Sequence, residues 1–293
     1  MGEAAIAEAA ALIRAGEPVA VPTETVYGLA ADATNAEAVA KIYAAKGRPS
    51  FNPLIVHVPD LAAAEQLGEF NADALKLADA HWPGPLTLVV PARPGNGIAA
   101  LVTAGLRTIA IRVPAHPAMR ALLKATGKPL AAPSANASGR ISPTRADHVA
   151  ASLGGRVALI LDGGPSERGI ESTIVAATGG PLRLLRRGPI AIDAPLIEGR
   201  VEAPGMMASH YAPAKPLRLD AASAEAGEIL IGYGEVKGDL DLGSNPVTAA
   251  ARLFDLLHQA DAAPQPRIAV APIPGDGLAE AIRDRLRRAA APR

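Results

Sequence analysis

Ten polar residues fall at the ends of predicted strands and in the loops that follow them, where open α/β sheets bind ligands. They are Thr25, Lys46, Arg48, Asn52, His57, Arg112, Ser134, Asn136, Ser172 and Arg186. The set is rich in cations and hydroxyls and poor in paired carboxylates, so glycosidase chemistry is a poor fit. Binding of a phosphate or a carboxylate suits these side chains better.

Two cations lie where a predicted helix ends. The pattern predicts a helix over 36–45, capped by Asn35, and then a strand that ends at His57. Lys46 and Arg48 can then converge on phosphate oxygens. An ordinary basic helix end, whose cations favour the negative pole of the helix dipole, explains them equally well. By spacing alone, His57 is interpreted as a half-buried structural histidine.

Two further features allow either ligand binding or an ordinary structural role. Arg112 interrupts the apolar strand predicted over 108–113, so it either faces an anion or pairs with a nearby Asp or Glu. The small-residue loop 133–139, ahead of a helix predicted over 145–153, is a phosphate cradle or a common Ser/Asn turn. Neither feature decides the function by itself.

Composition excludes several classes of protein. The 293 residues carry 29 basic and 29 acidic side chains and 3% aromatics, which argues against a nucleic-acid or membrane partner recruited by bulk charge. Cysteine is absent, which removes disulfides, thiolate nucleophiles and Cys-ligated zinc. A Ser134–His57–Asp162 triad lacks the G-x-S-x-G elbow. With no signal peptide and no membrane-length apolar run, we expect a cytoplasmic protein.

The pattern divides the chain into two α/β parts. Pro- and Gly-rich residues without periodicity predict a linker over 199–216. A domain over 1–198 precedes it, and a smaller domain over 217–293 follows it. The smaller domain alternates strands and helices, with helices predicted over 247–260 and 278–290, which indicates a parallel sheet.

Five motifs resemble those of the Sua5/YrdC family of threonylcarbamoyl-AMP synthases. In family order they are 22–29 (PTETVYGL), 46–57 (KGRPSFNPLIVH), 82–87 (WPGPLT), 133–136 (PSAN) and 171–175 (ESTIV). Residues 204–213 look like the linker of the two-domain Sua5 type. That linker has Met206-Met207 where the family more often has Met-Lys or Met-Arg. The resemblance covers 15–189 and extends to the smaller domain.

The resemblance implies a fold and a reaction. The fold is a large, twisted, mostly parallel or mixed open sheet with flanking helices, followed by a small Rossmann-like α/β domain. The reaction joins L-threonine, bicarbonate and ATP into threonylcarbamoyl-AMP and pyrophosphate, a nucleotidyltransferase reaction. Mg²⁺ enters with ATP, and the resemblance implies no side-chain metal site and no tightly bound organic cofactor. Partner threonylcarbamoyl transferase proteins then use the product for the t6A modification of tRNA, so tRNA contact is indirect or weak.

The matching motifs also imply which residues hold each substrate. L-threonine is assigned to Thr25, His57, Arg112, the backbone of Ala132, and Ser172. ATP is assigned to Arg48, Asn52, Thr108, Ser134, Asn136, Ser142 and Arg186, with His210 and Tyr211 closing over it as a lid. Lys46 and Arg48 are the residues expected at the reacting phosphates.

Two other functions remain open at this point. The same fold serves as an RNA-binding module, although zero net charge and few aromatics argue against that use here. A carbamoyl-transfer domain resembling that of hydrogenase-maturation proteins is the other, but those proteins carry a zinc finger that a cysteine-free chain cannot form.

Overall fold

The computed structural model describes residues 2–197, 199, 202–205 and 209–292. Its helices are α1 (Glu3–Arg14), α2 (Ala36–Lys46), α3 (Leu61–Leu67), α4 (Ala72–His81), α5 (Ala100–Thr103), α6 (Pro117–Thr126), α7 (Ala146–Leu153), α8 (Pro246–Ala262) and α9 (Leu278–Ala290). Its strands are β1 (Val19–Val21), β2 (Gly28–Asp32), β3 (Ile55–His57), β4 (Leu86–Pro91), β5 (Thr108–Arg112), β6 (Leu130–Ala131), β7 (Leu159–Ile160), β8 (Thr173–Ala176), β9 (Arg183–Arg186), β10 (Leu217–Arg218), β11 (Glu228–Gly232), β12 (Leu240–Asp241) and β13 (Arg267–Val270). Within the described part of the chain, none of the helices is long and apolar enough to cross a membrane.

Two sheets organise these elements. Among the described residues, the larger sheet has nine strands in the order β7-β1-β2-β6-β3-β5-β4-β8-β9. It contains parallel pairs such as β3 and β5 and antiparallel pairs such as β4 and β5, so the predicted mixed sheet is confirmed. The smaller sheet runs β10-β13-β11-β12 with parallel neighbours. The small parallel α/β unit predicted for the C-terminal part is therefore confirmed.

The two faces of the larger sheet are covered differently. On one face, α2, α3, α4, α5 and α7 pack on strand residues such as Val56 and Ile111. On the other face, α1 and α6 cover the half formed by β1, β2 and β6. The remaining half of that face has a small apolar cluster around Ala110, which Ile197 and Ala203 contact from the chain after β9. A cavity opens on this half of the sheet.

Local sequence determines where α2 begins and ends. Asn35 Oδ1 accepts hydrogen bonds from the backbone N–H groups of Glu37 and Ala38, at 3.0 and 3.1 Å. Gly47 adopts φ 59°, a left-handed conformation that closes the helix. The predicted helix and the strand that ends at His57 are confirmed, and the helix is one residue longer than predicted.

The C-terminal domain shares its core with the first domain. Val26, Ile141 and Ile170 pack among buried side chains of α8 and α9. The chain passes from the first sheet to the second between β9 and β10, and the predicted bounds at 198 and 216 stay predictions. Met206 and Met207, where the linker departs from the family pattern, lie outside the described residues.

Candidate active site

The cavity collects most of the residues predicted to bind substrates. The space between its walls is about 550 Å³ when the part open to solvent is included. Its wall includes Thr25, Arg48, His57, Arg112, Ala132, Ser134, Ser172, Arg186, His210 and Tyr211. The other predicted residues lie outside the wall: Lys46, Asn52, Thr108, Asn136 and Ser142.

The register of β3 against β5 separates two ends of the site. His57 pairs with Arg112 in a parallel register, and continuing that register two residues beyond the start of β3 would bring Pro53 opposite Thr108. Side chains alternate along a strand, so Thr108 shares a sheet face with Arg112, about 13 Å away at roughly 3.3 Å per residue. The Pro53 carbonyl accepts a 2.8 Å hydrogen bond from Arg48. Thr108 therefore lies near the Arg48 end and not in the cavity wall.

Arg112 is buried at the end of β5 and has protein partners. Its Nη2 lies 2.6 Å from Glu24 Oε1, its Nη1 donates to Thr25 Oγ1 at 2.9 Å, and its Nε donates to the Gly84 carbonyl at 3.2 Å. Burial acts to raise the pKa of Glu24, but the Arg112 charge lowers it below its usual value. The sequence left undecided whether Arg112 forms a salt bridge, and the structure shows that it pairs with Glu24. Among the described residues, two N–H groups of the guanidinium remain for a ligand.

His57 has an unused ring nitrogen in the cavity wall. The residue is 2% exposed, and its Nδ1 has no hydrogen-bond partner among the described residues. Burial lowers the pKa of His57 to about 3, and the Arg112 charge adds to the shift. The imidazole is therefore neutral at pH 7. An unpaired buried polar atom is costly, so this position fits a ligand that completes the hydrogen bond.

Ser172 and Arg186 form one hydrogen-bonded unit. Arg186 donates to Ser172 Oγ (3.1 Å), to the Ser172 carbonyl (3.0 Å) and to the Pro204 carbonyl (3.2 Å). Ser172 Oγ also lies 2.7 Å from Thr87 Oγ1. Burial lowers the pKa of Arg186. A buried cation whose hydrogen-bond acceptors are neutral oxygens attracts anions, because solvent screens it little.

Arg48 is held at the cavity by the turn that follows α2. Its Nε donates to the Asn52 carbonyl at 3.1 Å and its Nη2 to the Pro53 carbonyl at 2.8 Å. The Tyr43 hydroxyl donates to the same Asn52 carbonyl at 2.9 Å. Burial lowers the pKa of Arg48 to about 10, so it stays a cation at pH 7. Asn52 thus acts on the site through its backbone, which supports Arg48.

Lys46 lies behind the cavity wall, and its expected place at the reacting phosphates stays a prediction. Its ammonium donates to the Ser134 carbonyl (2.6 Å), to the Asn136 carbonyl and to Asn136 Oδ1 (3.4 Å). These three acceptors match the three N–H groups of an ammonium. Burial lowers the pKa of Lys46 well below its usual range, and Arg48 and Arg156 add to the shift. Instead of facing the cavity, Lys46 and Asn136 hold the loop that presents Ser134 to it.

Ser142 is also withdrawn from the cavity. It is fully buried, and its Oγ donates to Glu171 Oε1 at 2.5 Å. Glu171 lines the cavity in its place. Glu24 and Glu171 are functional-site residues that the sequence reasoning missed. Each stands beside a predicted residue inside a quoted motif, and each is the one acidic residue of its motif, which is the signal that could have identified it.

The described part of the linker closes one side of the cavity. Pro204, Gly205, His210 and Tyr211 all line it. The His210 ring packs edge-on against the Tyr211 ring with centroids 4.1 Å apart. Burial lowers the pKa of His210 well below its usual value, and nearby cations beginning with Arg48 add to the shift. His210 Nδ1 and the Tyr211 hydroxyl have no hydrogen-bond partner in the part of the chain that the structure describes.

Two family models match the chain. One, described as "Telomere recombination" and covering Sua5, YciO and YrdC, matches residues 11–188. The other, described as "Threonylcarbamoyl-AMP synthase, C-terminal domain", matches residues 182–291. The chain belongs to the Sua5/YrdC family. The order of the two matches is that of the two-domain Sua5 type, as the sequence predicts.

Relatives of this Sua5/YrdC chain match across both domains. It is 48% identical over 241 residues to Threonylcarbamoyl-AMP synthase of Bacillus subtilis, which covers 77% of this chain and 69% of the relative. It is 38% identical to the Pyrococcus abyssi protein of the same name, over 96% of this chain and 92% of the relative. The crystal structure of P. abyssi Sua5 complexed with L-threonine matches with a TM-score of 0.87 at 36% identity, covering 97% of this chain and 94% of that chain.

In this Sua5/YrdC chain, the C-terminal domain reaches the cavity wall. Arg285 of α9 donates from Nε to Glu171 Oε2 at 2.8 Å. Its guanidinium carbon lies 5.3 Å from the centre of the Tyr211 ring. The backbone N–H of His210 donates to the Arg288 carbonyl at 3.1 Å. One helix of the second domain therefore contacts a wall residue of the first domain and both aromatic residues of the linker.

Proposed function

We propose that this chain is an L-threonylcarbamoyladenylate synthase, which joins L-threonine, bicarbonate and ATP and releases pyrophosphate. It is therefore a nucleotidyltransferase. One observation carries the proposal. At one end of the sheet face formed by β3 and β5, the neutral His57 lies beside the buried Arg112, and Arg48 lies at the other end of that face. The names of the relatives and the threonine complex of the P. abyssi structure support it.

The end formed by His57 and Arg112 is suited to an amino acid. Two free N–H groups of Arg112 can take the carboxylate of threonine. The neutral imidazole of His57 can accept a hydrogen bond from the amine or the hydroxyl. Thr25, Ser172 and the backbone of Ala132 complete the proposed threonine pocket. Glu24 helps to fix the orientation of Arg112 because it accepts a hydrogen bond from Nη2.

The cationic end is suited to the nucleotide. Arg48, Arg186 and Ser134 line the cavity and supply charge and hydrogen-bond donors to phosphate oxygens. Asn52, Thr108, Ser142 and Asn136 support this end from outside the wall. No cluster of three or more His, Cys, Asp or Glu side chains that could hold a metal occurs among the described residues. We expect Mg²⁺ to enter together with ATP, as the family resemblance implies.

The reaction needs no protein nucleophile. The threonine amine combines with bicarbonate to form a carbamate and water. A carbamate oxygen attacks the α-phosphorus of ATP, the bond to the bridging oxygen breaks, and pyrophosphate leaves with the charge. The chain contributes orientation of the two substrates and neutralisation of phosphate charge. In reactions of this kind each effect lowers the activation free energy by roughly 3 kcal/mol or more. His210 and Tyr211 exclude water from the reacting atoms as a lid.

The product is an activated threonylcarbamoyl group. We assign its consumption to a separate threonylcarbamoyl transferase that modifies an adenosine of tRNA, so this chain contacts tRNA at most weakly. The cytoplasmic location predicted from the sequence stays a prediction.

Pyrophosphate release tests the proposed function. The purified chain is supplied with Mg–ATP and bicarbonate, with L-threonine present or absent. Release that depends on threonine is the expected result. Valine, which has the shape of threonine but lacks its hydroxyl, is the matched control and should support much less release, because a pocket that hydrogen-bonds a hydroxyl discriminates against its absence. Release that is equal with and without threonine contradicts the proposal.

A further inference from the structure

Glu171 is an acidic side chain in the wall of a cavity proposed to bind a polyanion. It is 6% exposed and shares the wall with Arg48 and Arg186. An uncompensated carboxylate there would repel the phosphates and compete with them for Arg186, because charges in a poorly solvated site act strongly on each other. The site therefore requires something that neutralises Glu171.

Arg285 of the C-terminal domain meets that requirement. It is fully buried, and its Nε lies 2.8 Å from Glu171 Oε2. Its Nη1 is 3.0 Å from Asp284 Oδ2, and its Nη2 donates to the Arg187 carbonyl at 2.9 Å. All three nitrogens of the guanidinium therefore have polar partners, two in the first domain and one in the second. Such a planar fork holds its partner in one orientation.

The second oxygen of Glu171 is also fixed. Oε1 accepts the hydroxyl proton of Ser142 at 2.5 Å. With Arg285 on one oxygen and Ser142 on the other, the carboxylate is fixed against rotation toward Arg186. Arg186 then keeps only neutral acceptors, Ser172 and Pro204, among the described residues. Its charge is left available to the nucleotide.

We infer that Arg285 is a positioning residue through which the C-terminal domain neutralises Glu171 and preserves the nucleotide end of the site. The inference rests on the proposed function, because it requires a polyanion in the cavity. It assigns the C-terminal domain a definite task, which is to prevent a carboxylate of the first domain from opposing ATP. The threonine end, where Arg112 has its own acid in Glu24, does not depend on Arg285.

Binding measurements on four full-length proteins test this inference. Calorimetry with ATP and, separately, with L-threonine is performed on the wild type, Arg285→Met, the double variant Glu171→Gln/Arg285→Met, and Arg283→Met. Arg283 is the matched control, because it lies on the same helix but, among the described residues, donates only to the carbonyls of Ile273 and Gly275 in its own domain.

We expect Arg285→Met to weaken ATP binding about tenfold or more, since a buried charge loses its partner. Threonine binding should stay within about twofold of the wild type. Removal of the carboxylate in the double variant should restore most of the ATP affinity, and Arg283→Met should bind both ligands normally. The double variant removes the unpaired carboxylate but does not restore the ion pair between the domains. Recovery of ATP affinity in that variant therefore shows that Arg285 acts by compensating the charge of Glu171 and not by attaching the domains to each other.

Three results overturn the inference: unchanged ATP binding in Arg285→Met, equal loss of ATP and threonine, or no rescue in the double variant. If Arg285→Met does not fold, Arg285→Lys, which keeps a cation beside Glu171, must retain ATP affinity within about threefold, and a larger loss in a folded Arg285→Lys protein overturns the inference. These readouts need no catalysis. A wild type that binds ATP but releases no pyrophosphate contradicts the proposed function and leaves the binding comparison intact. A wild type that binds no ATP overturns both.

Discussion

Individual residues show how buried charge is managed around the cavity. Arg112 and Arg285 each have a carboxylate partner within 2.8 Å, whereas Arg48 and Arg186 donate to neutral oxygens in the described structure. A cation paired with an acid supports geometry, and a cation without one attracts an anionic ligand. By this distinction Arg285 positions Glu171, while Arg48 and Arg186 face the proposed phosphates. Arg112 is paired with Glu24 but keeps two N–H groups for the proposed threonine carboxylate.

At this scale, Arg112 should affect threonine far more than ATP. A single Arg112→Met change would leave Glu24 buried without its partner, so we use the double variant Arg112→Met/Glu24→Gln. We expect its threonine affinity to fall about tenfold or more, because the bidentate contact to the carboxylate is lost, and its ATP affinity to stay within about threefold. Arg107→Met, an exposed change just ahead of β5, is the control. Equal losses for both ligands in calorimetry would remove Arg112 from the threonine site.

His57 provides a prediction about protonation. Its pKa is lowered to about 3 by burial and by Arg112, so the folded protein binds no proton at His57 between pH 8 and 5. The unfolded chain binds one below about pH 6.5, so His57 reduces stability as the pH falls from about 6.5 towards 3. In an NMR titration, the ring signal that disappears in His57→Gln should not shift between pH 8 and 5. A midpoint near 6.5 would show that the ring is solvated.

The end of a secondary-structure element determines where the side chains at that end lie. Helix α2 ends by a left-handed glycine, which turns Lys46 into the loop 133–140 and Arg48 towards the cavity. Two cations that are neighbours in sequence therefore have different tasks. One joins two elements, and the other serves the site.

Lys46→Met should destabilise the fold, because the Ser134 and Asn136 carbonyls lose a charged donor in a buried place. The expected loss is about 2 to 3 kcal/mol of unfolding free energy. Lys41→Met on the same helix is the matched control, since Lys41 pairs with Glu17 at the surface and such pairs contribute about 0 to 1 kcal/mol. Denaturant unfolding of both variants measures the difference. Equal stability of the two variants would contradict the role assigned to Lys46.

Elements with strong local signals were predictable from the sequence. The cap at Asn35 and the glycine at 47 delimit α2, and α9 has the bounds that the sequence predicts. Helices α3 and α6 were not predicted, although Pro117 at the start of α6 and Gly127 at its end are signals that could have located it. Two-residue strands such as β10 and β12 carry too little pattern to be recognised, because only their neighbours in the sheet define them.

The site was predictable as a set of residues and less so as a set of contacts. Motif residues such as His57 and Arg112 do meet in the cavity wall. The bond from Lys46 to Ser134 spans 88 positions and that from Arg285 to Glu171 spans 114. Pairings over such separations arise from tertiary packing, and no local pattern in one sequence records them. This is why the sequence gives no sign of the contact of Lys46 with Ser134 or of the contact of Arg285 with Glu171.

At the scale of the whole molecule, the two domains are joined by a common core. Val26, Ile141 and Ile170 pack with α8 and α9, and the buried Arg285–Glu171 pair crosses the same boundary. Separating the two domains would expose apolar surface to water and break a buried ion pair. The domains should therefore stabilise each other.

Scanning calorimetry measures this coupling. We expect one cooperative unfolding transition for the full chain, whose calorimetric and van't Hoff enthalpies agree. Two resolved transitions would mean that the domains unfold independently. In that case the C-terminal helix could not hold a residue of the cavity wall in place.

In the proposed reaction, threonine and ATP meet across one sheet face and react through a carbamate. Mass spectrometry of the product formed from isotopically labelled bicarbonate tests it most directly. We predict one species that contains threonine, one labelled carbon and AMP, formed in equal amount with pyrophosphate. Pyrophosphate released without such a species, or an adenylate of threonine that lacks the labelled carbon, would contradict the account.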